Sequence, residues 1–451
     1  MNRHPRVRHA RESRMRFHST ANLTANPTAI GAPPSLRSLP GRLQLERLDN
    51  GLTVCLFANA QAPVVTSALF YRAGTRDESP GHGGAAHFLE HMMFKGSTRF
   101  GPGEIDRLTQ ALGGVNNAFT SHDSTAYYFN FAADRWTEAL TIEADRMANL
   151  TLNPDQVASE RQVILEEIAM YDSEPWDALE MAVHERLFGP HPYGRPVLGT
   201  REELQATGAE DLRDFHRRFY RPDNAVLVVA GDIGEDALAA VERAMGGLPA
   251  GAQTRGGFTP PTVLPTSIEP LERRKGEVAR MLLALPGPAG SHPDHPPLRL
   301  AATVLGGGRT SRLQHALVED EQLCVWVTAD VSEGMDASQI TIAAEVVPGI
   351  EPARVQARVL ELLADLRANP PGEEELARCR RIAAADWVFG HEKVHQQALS
   401  VGMALTLFDL EHLDFHMERL LETSPDQLLA AAERYLRPER GSVMGWSLPK
   451  S

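Results

Sequence analysis

The feature that most restricts the fold is a repeat of long period. Leu212 to Pro222 ends in Arg-Phe-Tyr-Arg-Pro, and 216 residues later Leu428 to Pro438 ends in Arg-Tyr-Leu-Arg-Pro. The same offset carries Gly74 onto Gly290 and Ala85-Ala86 onto Ala301-Ala302. Matches at one spacing describe a duplicated unit of roughly 200 residues, so the chain must build two related halves. With 42% hydrophobic and 23% charged residues over 451 positions, each half can bury a sizeable core.

Each unit mixes strands and helices. Leu43–Glu46 and Leu52–Phe57 flank Asn50-Gly51, a hairpin signal because both turn residues tolerate positive φ. Val64–Tyr71, Ala126–Phe131 and Ala225–Ala230 read as further strands, the last fully buried. Helices are predicted from about Gly83 to Phe94, Gly103 to Leu112 and Asp134 to Leu150. Asn153-Pro154 is an N-cap and first-turn pair opening a helix through at least Ala169, and Thr200-x-x-Glu203 is a capping box. The Gly-, Pro- and Thr-rich stretch from Pro249 to Pro270 reads as the linker between halves.

Composition removes several functions. A net charge of -14 argues against nucleic-acid binding, which needs clustered Lys and Arg. No apolar run reaches membrane-spanning length. Cys55, Cys324 and Cys379 are scattered and odd in number, which supports neither a disulfide framework nor a thiolate zinc site. The first 16 residues hold six Arg against one acid, Glu12, without the apolar core of an export signal. That segment reads as a disordered leader or an over-extended start, with a mitochondrial-type presequence as the alternative. The corresponding compartments are the bacterial cytoplasm and the mitochondrial matrix.

The chemistry concentrates in His87-Phe88-Leu89-Glu90-His91. On a helix, i and i+4 lie about 40° apart, so His87 and His91 present two imidazoles to one cation. Glu90 falls about 60° to the other side of His87, within reach of a metal-activated water. A catalytic zinc site needs a third protein ligand, and the helix opened by Asn153 offers Glu160, Glu166 and Glu167. Glu160 and Glu167 share a face; Glu166 points about 100° away from Glu167. At the repeat offset, His87, Glu90, His91 and Glu167 become Thr303, Gly306, Gly307 and Ala383, so the second copy keeps the frame and loses every donor. His82 and His122 are weaker ligand candidates, His191 to Arg195 reads as a structural loop, and Tyr127-Tyr128-Phe129 as alternating strand packing.

The run Gly84 to Gly96, with Glu160-Arg161-Gln162-Val163-Ile164-Leu165-Glu166-Glu167, resembles the insulinase and mitochondrial-processing-peptidase family over about residues 42 to 448. The resemblance implies an α+β fold of two homologous domains, each a mainly antiparallel sheet packed with helices. It implies a leader at 1–41, a zinc-binding catalytic domain at 42–249, a linker at 250–263 and a homologous domain without metal at 264–451. One Zn2+ per chain would be held by His87, His91 and Glu167, with Glu90 as general base and Glu160 as a supporting carboxylate. The expected activity is cleavage of peptides or small unfolded polypeptides. The segment Gly113 to Thr120 resembles the family's substrate-pairing strand, with Asn117, Ala118 and Phe119 against the peptide. Arg312, in Ser311-Arg312-Leu313, matches the Arg of an Arg/Tyr pair, but Val325 stands where the Tyr belongs, beside Trp326. That gap implies a dimer, with a homologous subunit supplying the pair; stacking by Trp326 is the alternative. A non-catalytic assembly subunit, also represented in the family, is the competing reading.

Overall fold

The structure is a computed structural model that describes residues 41–251 and 259–449. The predicted leader, apart from Gly41, lies outside the described residues. The first half comprises β1 (Arg42–Arg47), β2 (Thr53–Ala58), β3 (Val64–Tyr71), α1 (Ala85–Met92), α2 (Glu104–Ala111), β4 (Val115–Thr120), β5 (Thr125–Ala132), α3 (Thr137–Asn149), α4 (Pro154–Ser173), α5 (Pro175–Phe188), α6 (Arg201–Ala206), α7 (Ala209–Phe219), β6 (Ala225–Gly231) and α8 (Ala237–Met245). The second comprises β7 (Ile268–Arg274), β8 (Arg280–Gly287), α9 (His295–Gly306), α10 (Arg312–Gln314), β9 (Cys324–Val331), β10 (Ser338–Val346), α11 (Pro352–Ala368), α12 (Glu373–Gly390), α13 (Val394–Leu407), α14 (Leu410–Glu422), α15 (Pro425–Tyr435) and β11 (Ser442–Leu448).

The repeat is visible in the topology. One sheet runs β1-β2-β6-β3-β5-β4 and the other β7-β11-β8-β10-β9, the same order once β1 is set aside. Only β2–β6 and β7–β11 pair in parallel; every other neighbour is antiparallel, as an α+β fold requires. Shifting β3 and α7 by the sequence offset lands on β8 and α15, residue for residue.

Two sequence expectations need correction. The β1–β2 turn is longer than a two-residue loop, and only Gly51 has positive φ. Asn50 instead donates its side-chain amide to the Met245 carbonyl at 2.7 Å, tying the hairpin to α8. The linker is also shorter than Pro249 to Pro270, because Ile268 to Pro270 already belong to β7. β7 is an edge strand, where a residue without an N–H is tolerated.

Each half covers one face of its sheet with its own helices and the other face with a helix of the opposite half. Ala398, Val401 and Leu405 of α13 pack on Cys55, Phe57, Ala68 and Phe70 of the first sheet. Reciprocally, Leu179, Val183 and Leu187 of α5 pack on Leu282, Ala284 and Val443 of the second. A polar seam reinforces this exchange: Arg76 contacts Asp336 at 3.1 Å, and the Met335 amide donates to Asp123 at 3.1 Å. No helix among the described residues is long and apolar enough to cross a membrane.

Candidate metal centre

Helix α1 starts at Gly84, whose φ of +85° and approach to the Leu198 carbonyl leave no place for a Cβ, which would lie 2.5 Å from that oxygen. Its exposed first-turn amides are met by a buried carboxylate: Glu78 accepts from the Gly84 and Ala86 N–H groups at 3.1 and 2.9 Å. The helix therefore begins at a defined point, and so do His87, Glu90 and His91 one to two turns later.

Helix α4 begins equally sharply. Asn153 accepts from the Asp155 and Gln156 amides, with Pro154 in the first turn. Its buried residues are Val157, Glu160, Ile164 and Glu167, a stripe at spacings of three and four in which half the members are carboxylates. Burying carboxylates on a core-facing stripe is costly unless something cationic faces them. Glu166, by contrast, is exposed.

What faces the stripe is α1. Nε2 of His91 and Nε2 of His87 lie 3.5 and 3.8 Å from one oxygen of Glu167. The two rings sit 4.7 Å apart, and the three ligand atoms all fall within 4.8 Å of one another. Nδ1 of His91 lies 2.8 Å from Glu160, whose other oxygen contacts Nζ of Lys95 at 2.6 Å. Burial opposes charge on His91, but Glu160, Glu167 and Glu90 outweigh it and raise the imidazole to about 9. Glu160 is held below the usual carboxylate range by His91 and Lys95, against burial. Three carboxylates thus surround two imidazoles, and Lys95 reaches the group through Glu160. Two imidazole nitrogens and a carboxylate oxygen, one imidazole oriented through its far nitrogen by an acid, are a donor set that fits zinc.

Glu90 is buried beside this group, and burial pushes its carboxyl up to about 7 against the opposing pull of His91 and Thr120. The Thr120 hydroxyl donates to its Oε2 at 2.6 Å. Beneath them Arg146, fully buried, pairs with Glu143 at 2.5 Å, its guanidinium 4.2 Å from the Tyr127 ring centre. Glu78 and Lys95 carried no role in the sequence reading, which placed Thr120 only at the end of the substrate-pairing strand.

The other predicted residues separate. β4 is the outer strand of its sheet, with Ala118 on the α1 side and Phe119 on the opposite face against Phe70 at 6.2 Å. Asn117 lies across from Tyr128 on that same far face. Arg312 donates to both Glu375 oxygens at 3.0 and 2.9 Å and to the Asn369 carbonyl at 2.8 Å, partners that all belong to the second half. Trp326 packs against Trp176, ring centres 5.1 Å apart. His82 faces Asp211 at 3.8 Å, and His122 meets the Arg195 carbonyl at 3.2 Å, so neither joins the cluster. Tyr127 and Phe129 are buried together while Tyr128 faces the other way, the alternation expected of a strand.

A second group, Glu333, His412 and His416, also gathers within 4.8 Å. There the Arg299 guanidinium lies 2.9 Å from Nε2 of His416 and Nε2 of His412 lies 2.8 Å from Glu333, so each of the three already has a partner. In the second half the counterpart of Glu90 is Gly306, where a Cβ would lie 2.2 Å from the Ala329 amide nitrogen. At that position helix α9 rests its backbone on β9 and leaves no room for a side chain.

Comparison with known proteins gives two adjacent family matches, and the His87, His91 and Glu167 group falls in the first. Residues 53–201 match the family described as insulinase (peptidase family M16), and residues 208–383 match the peptidase M16 inactive domain. The chain is 31% identical over 408 residues to an uncharacterised zinc protease of Mycobacterium leprae, covering 88% of this chain and 90% of that protein. It is 25% identical to the zinc protease PqqE of Helicobacter pylori, over 92% of this chain and 95% of the relative. The crystal structure of a protease from Helicobacter pylori superposes with a TM-score of 0.84 at 25% identity, over 91% of this chain and all of that one. A putative M16-like peptidase from Alicyclobacillus acidocaldarius shares the fold, with a TM-score of 0.78 at 21% identity over 92% of this chain and 99% of that one. The chain belongs to the insulinase family of zinc peptidases, M16, as a member built of two repeated halves.

Proposed function

We propose that this protein is a zinc-dependent metalloendopeptidase that hydrolyses peptides or small unfolded polypeptides. The observation that carries the reading is the convergence of His87, His91 and Glu167 within 4.8 Å at the meeting of α1 and α4. These three residues would hold one zinc ion per chain. The ion would supply Lewis acidity toward the scissile carbonyl and toward water at neutral pH. Glu160 orients His91. Glu90 takes a proton from the attacking water as the new C–O bond forms, and returns it to the amine as the C–N bond breaks. A non-catalytic assembly role would leave a gathered donor set beside a buried general base without a purpose.

Peptide docks along β4 by strand addition. Ser121 donates to the Ser124 carbonyl at 2.8 Å, which makes 121/124 a hydrogen-bonded pair of the β4–β5 hairpin. Pairing alternates along an antiparallel ladder, so Asn116, Ala118 and Thr120 direct their N–H and C=O groups to the open edge. Asn117 and Phe119 support the strand from its far face.

The Arg/Tyr pair is completed by a homologous subunit in a dimer. Val325 replaces the Tyr, Trp326 is engaged by Trp176, and Arg312 is engaged by Glu375, which supports a partner contribution.

Metal analysis with peptide cleavage by wild type and Glu90→Gln tests the reading. One zinc per chain in both, with cleavage lost only in the variant, is expected; equal cleavage by the two would overturn it.

A further inference from the structure

We propose that Thr120 is a positioning residue that locks the general base to the strand on which peptide docks. The inference rests on the peptidase reading of the site.

Thr120 is the last residue of β4, and its hydroxyl donates to Oε2 of Glu90 at 2.6 Å. That is the short distance of a charge-assisted O–H···O bond to a carboxylate. A glutamate has a broad terminal torsion, so a buried carboxylate without such a donor would sample several orientations. With Oε2 accepting from Thr120, Oε1 is left as the oxygen that receives the proton from water. The two carboxylate oxygens are thereby distinguished before substrate arrives, which is the preorganisation a proton transfer benefits from.

The backbone of the same residue does a second task. Alternation from the Ser121/Ser124 pair turns the Thr120 N–H and C=O to the open edge of the sheet, while the side chain points to α1. A peptide strand that pairs with Ala118 and Thr120 is thus referenced to the atom that positions Glu90. Register of the substrate and orientation of the base are set by one residue, with no flexible segment between them.

The test uses the full chain, an internally quenched peptide, and Thr120→Val, Thr120→Ser and Glu90→Gln. Valine keeps the shape and removes the donor; serine keeps the donor and removes a methyl. Thr120→Val should lower kcat on the order of 10- to 100-fold, the range for losing a hydrogen bond to a charged group. Zinc content and KM should stay within two-fold of wild type (~2). Thr120→Ser should recover most of kcat. A Thr120→Val protein with wild-type kcat overturns this inference and leaves the peptidase reading intact. So does a serine variant that falls as far as valine with a lowered melting temperature, since that is a packing role. A wild type that holds no zinc and cleaves nothing overturns both.

Discussion

Nδ1 of His91 and Oε1 of Glu160 lie 2.8 Å apart, and the other Glu160 oxygen contacts Lys95. A carboxylate accepting at Nδ1 makes Nε2 the nitrogen presented to a metal. Glu160→Gln removes the charge that holds this tautomer, so zinc affinity should fall about 10- to 100-fold in competition with a chromophoric chelator. Lys95→Met should weaken it less, because Lys95 acts through Glu160. Unchanged affinity in Glu160→Gln would show that the contact does not orient the ligand.

Adjacent glutamates give a sharper contrast. Glu167 is buried against the two imidazoles and Glu166 is exposed. Zinc content after dialysis should survive Glu166→Gln and be largely lost in Glu167→Gln. The reverse pattern would exchange their assignments.

Ala118 offers its N–H to the open edge, so Ala118→Pro deletes a docking donor without removing a rung shared with β5. The variant should retain zinc and show a raised KM or no cleavage. Normal kinetics would exclude strand addition at this edge.

Gly402 of α13 lies against Phe70 of β3, where a Cβ would fall 2.0 Å from the ring. Alanine gains about 1 kcal/mol of helix propensity over glycine, but overpacking a rigid core costs about 1–3 kcal/mol. The clash should win, and Gly402→Ala should lower the melting temperature. The exchange of α5 and α13 also predicts that residues 42–251 made alone will aggregate, and that co-expression with the rest restores soluble protein. A monomeric, cooperatively melting first half would refute this dependence.

Burial holds His216 down at about 4, and His122, buried beside His184, at about 3. Both folded values lie below the ordinary histidine value, so the unfolded chain binds more protons as pH falls. Their stabilising contribution is complete above about 6.5 and is lost progressively toward 4 and 3. Denaturant titrations should show His216→Gln reducing the slope of stability with pH by up to about 1.4 kcal/mol per unit between pH 6 and 4.5. An unchanged slope would mean His216 is already protonated in the folded protein.

Much of the molecule was legible in one dimension. The capped start of α4 and the 87/90/91 spacing depend on periods within a single element, set by backbone geometry alone, and the repeat shows as self-similarity along the chain. So the paired imidazoles and the shared face of Glu160 and Glu167 followed from local rules, and the two-half architecture from the repeat. What faces that stripe did not. Thr120 reaches Glu90 across 30 residues, Glu78 caps a helix it does not belong to, and α13 crosses to the sheet of the opposite half. Arg312 matched a motif yet is held by Glu375, a partner 63 residues on that no spacing rule selects. Such contacts are decided by where burial brings distant elements together, since a core closes on whichever apolar faces the chain path makes adjacent. Local sequence determined which side chains could do the chemistry; tertiary packing decided which of them meet.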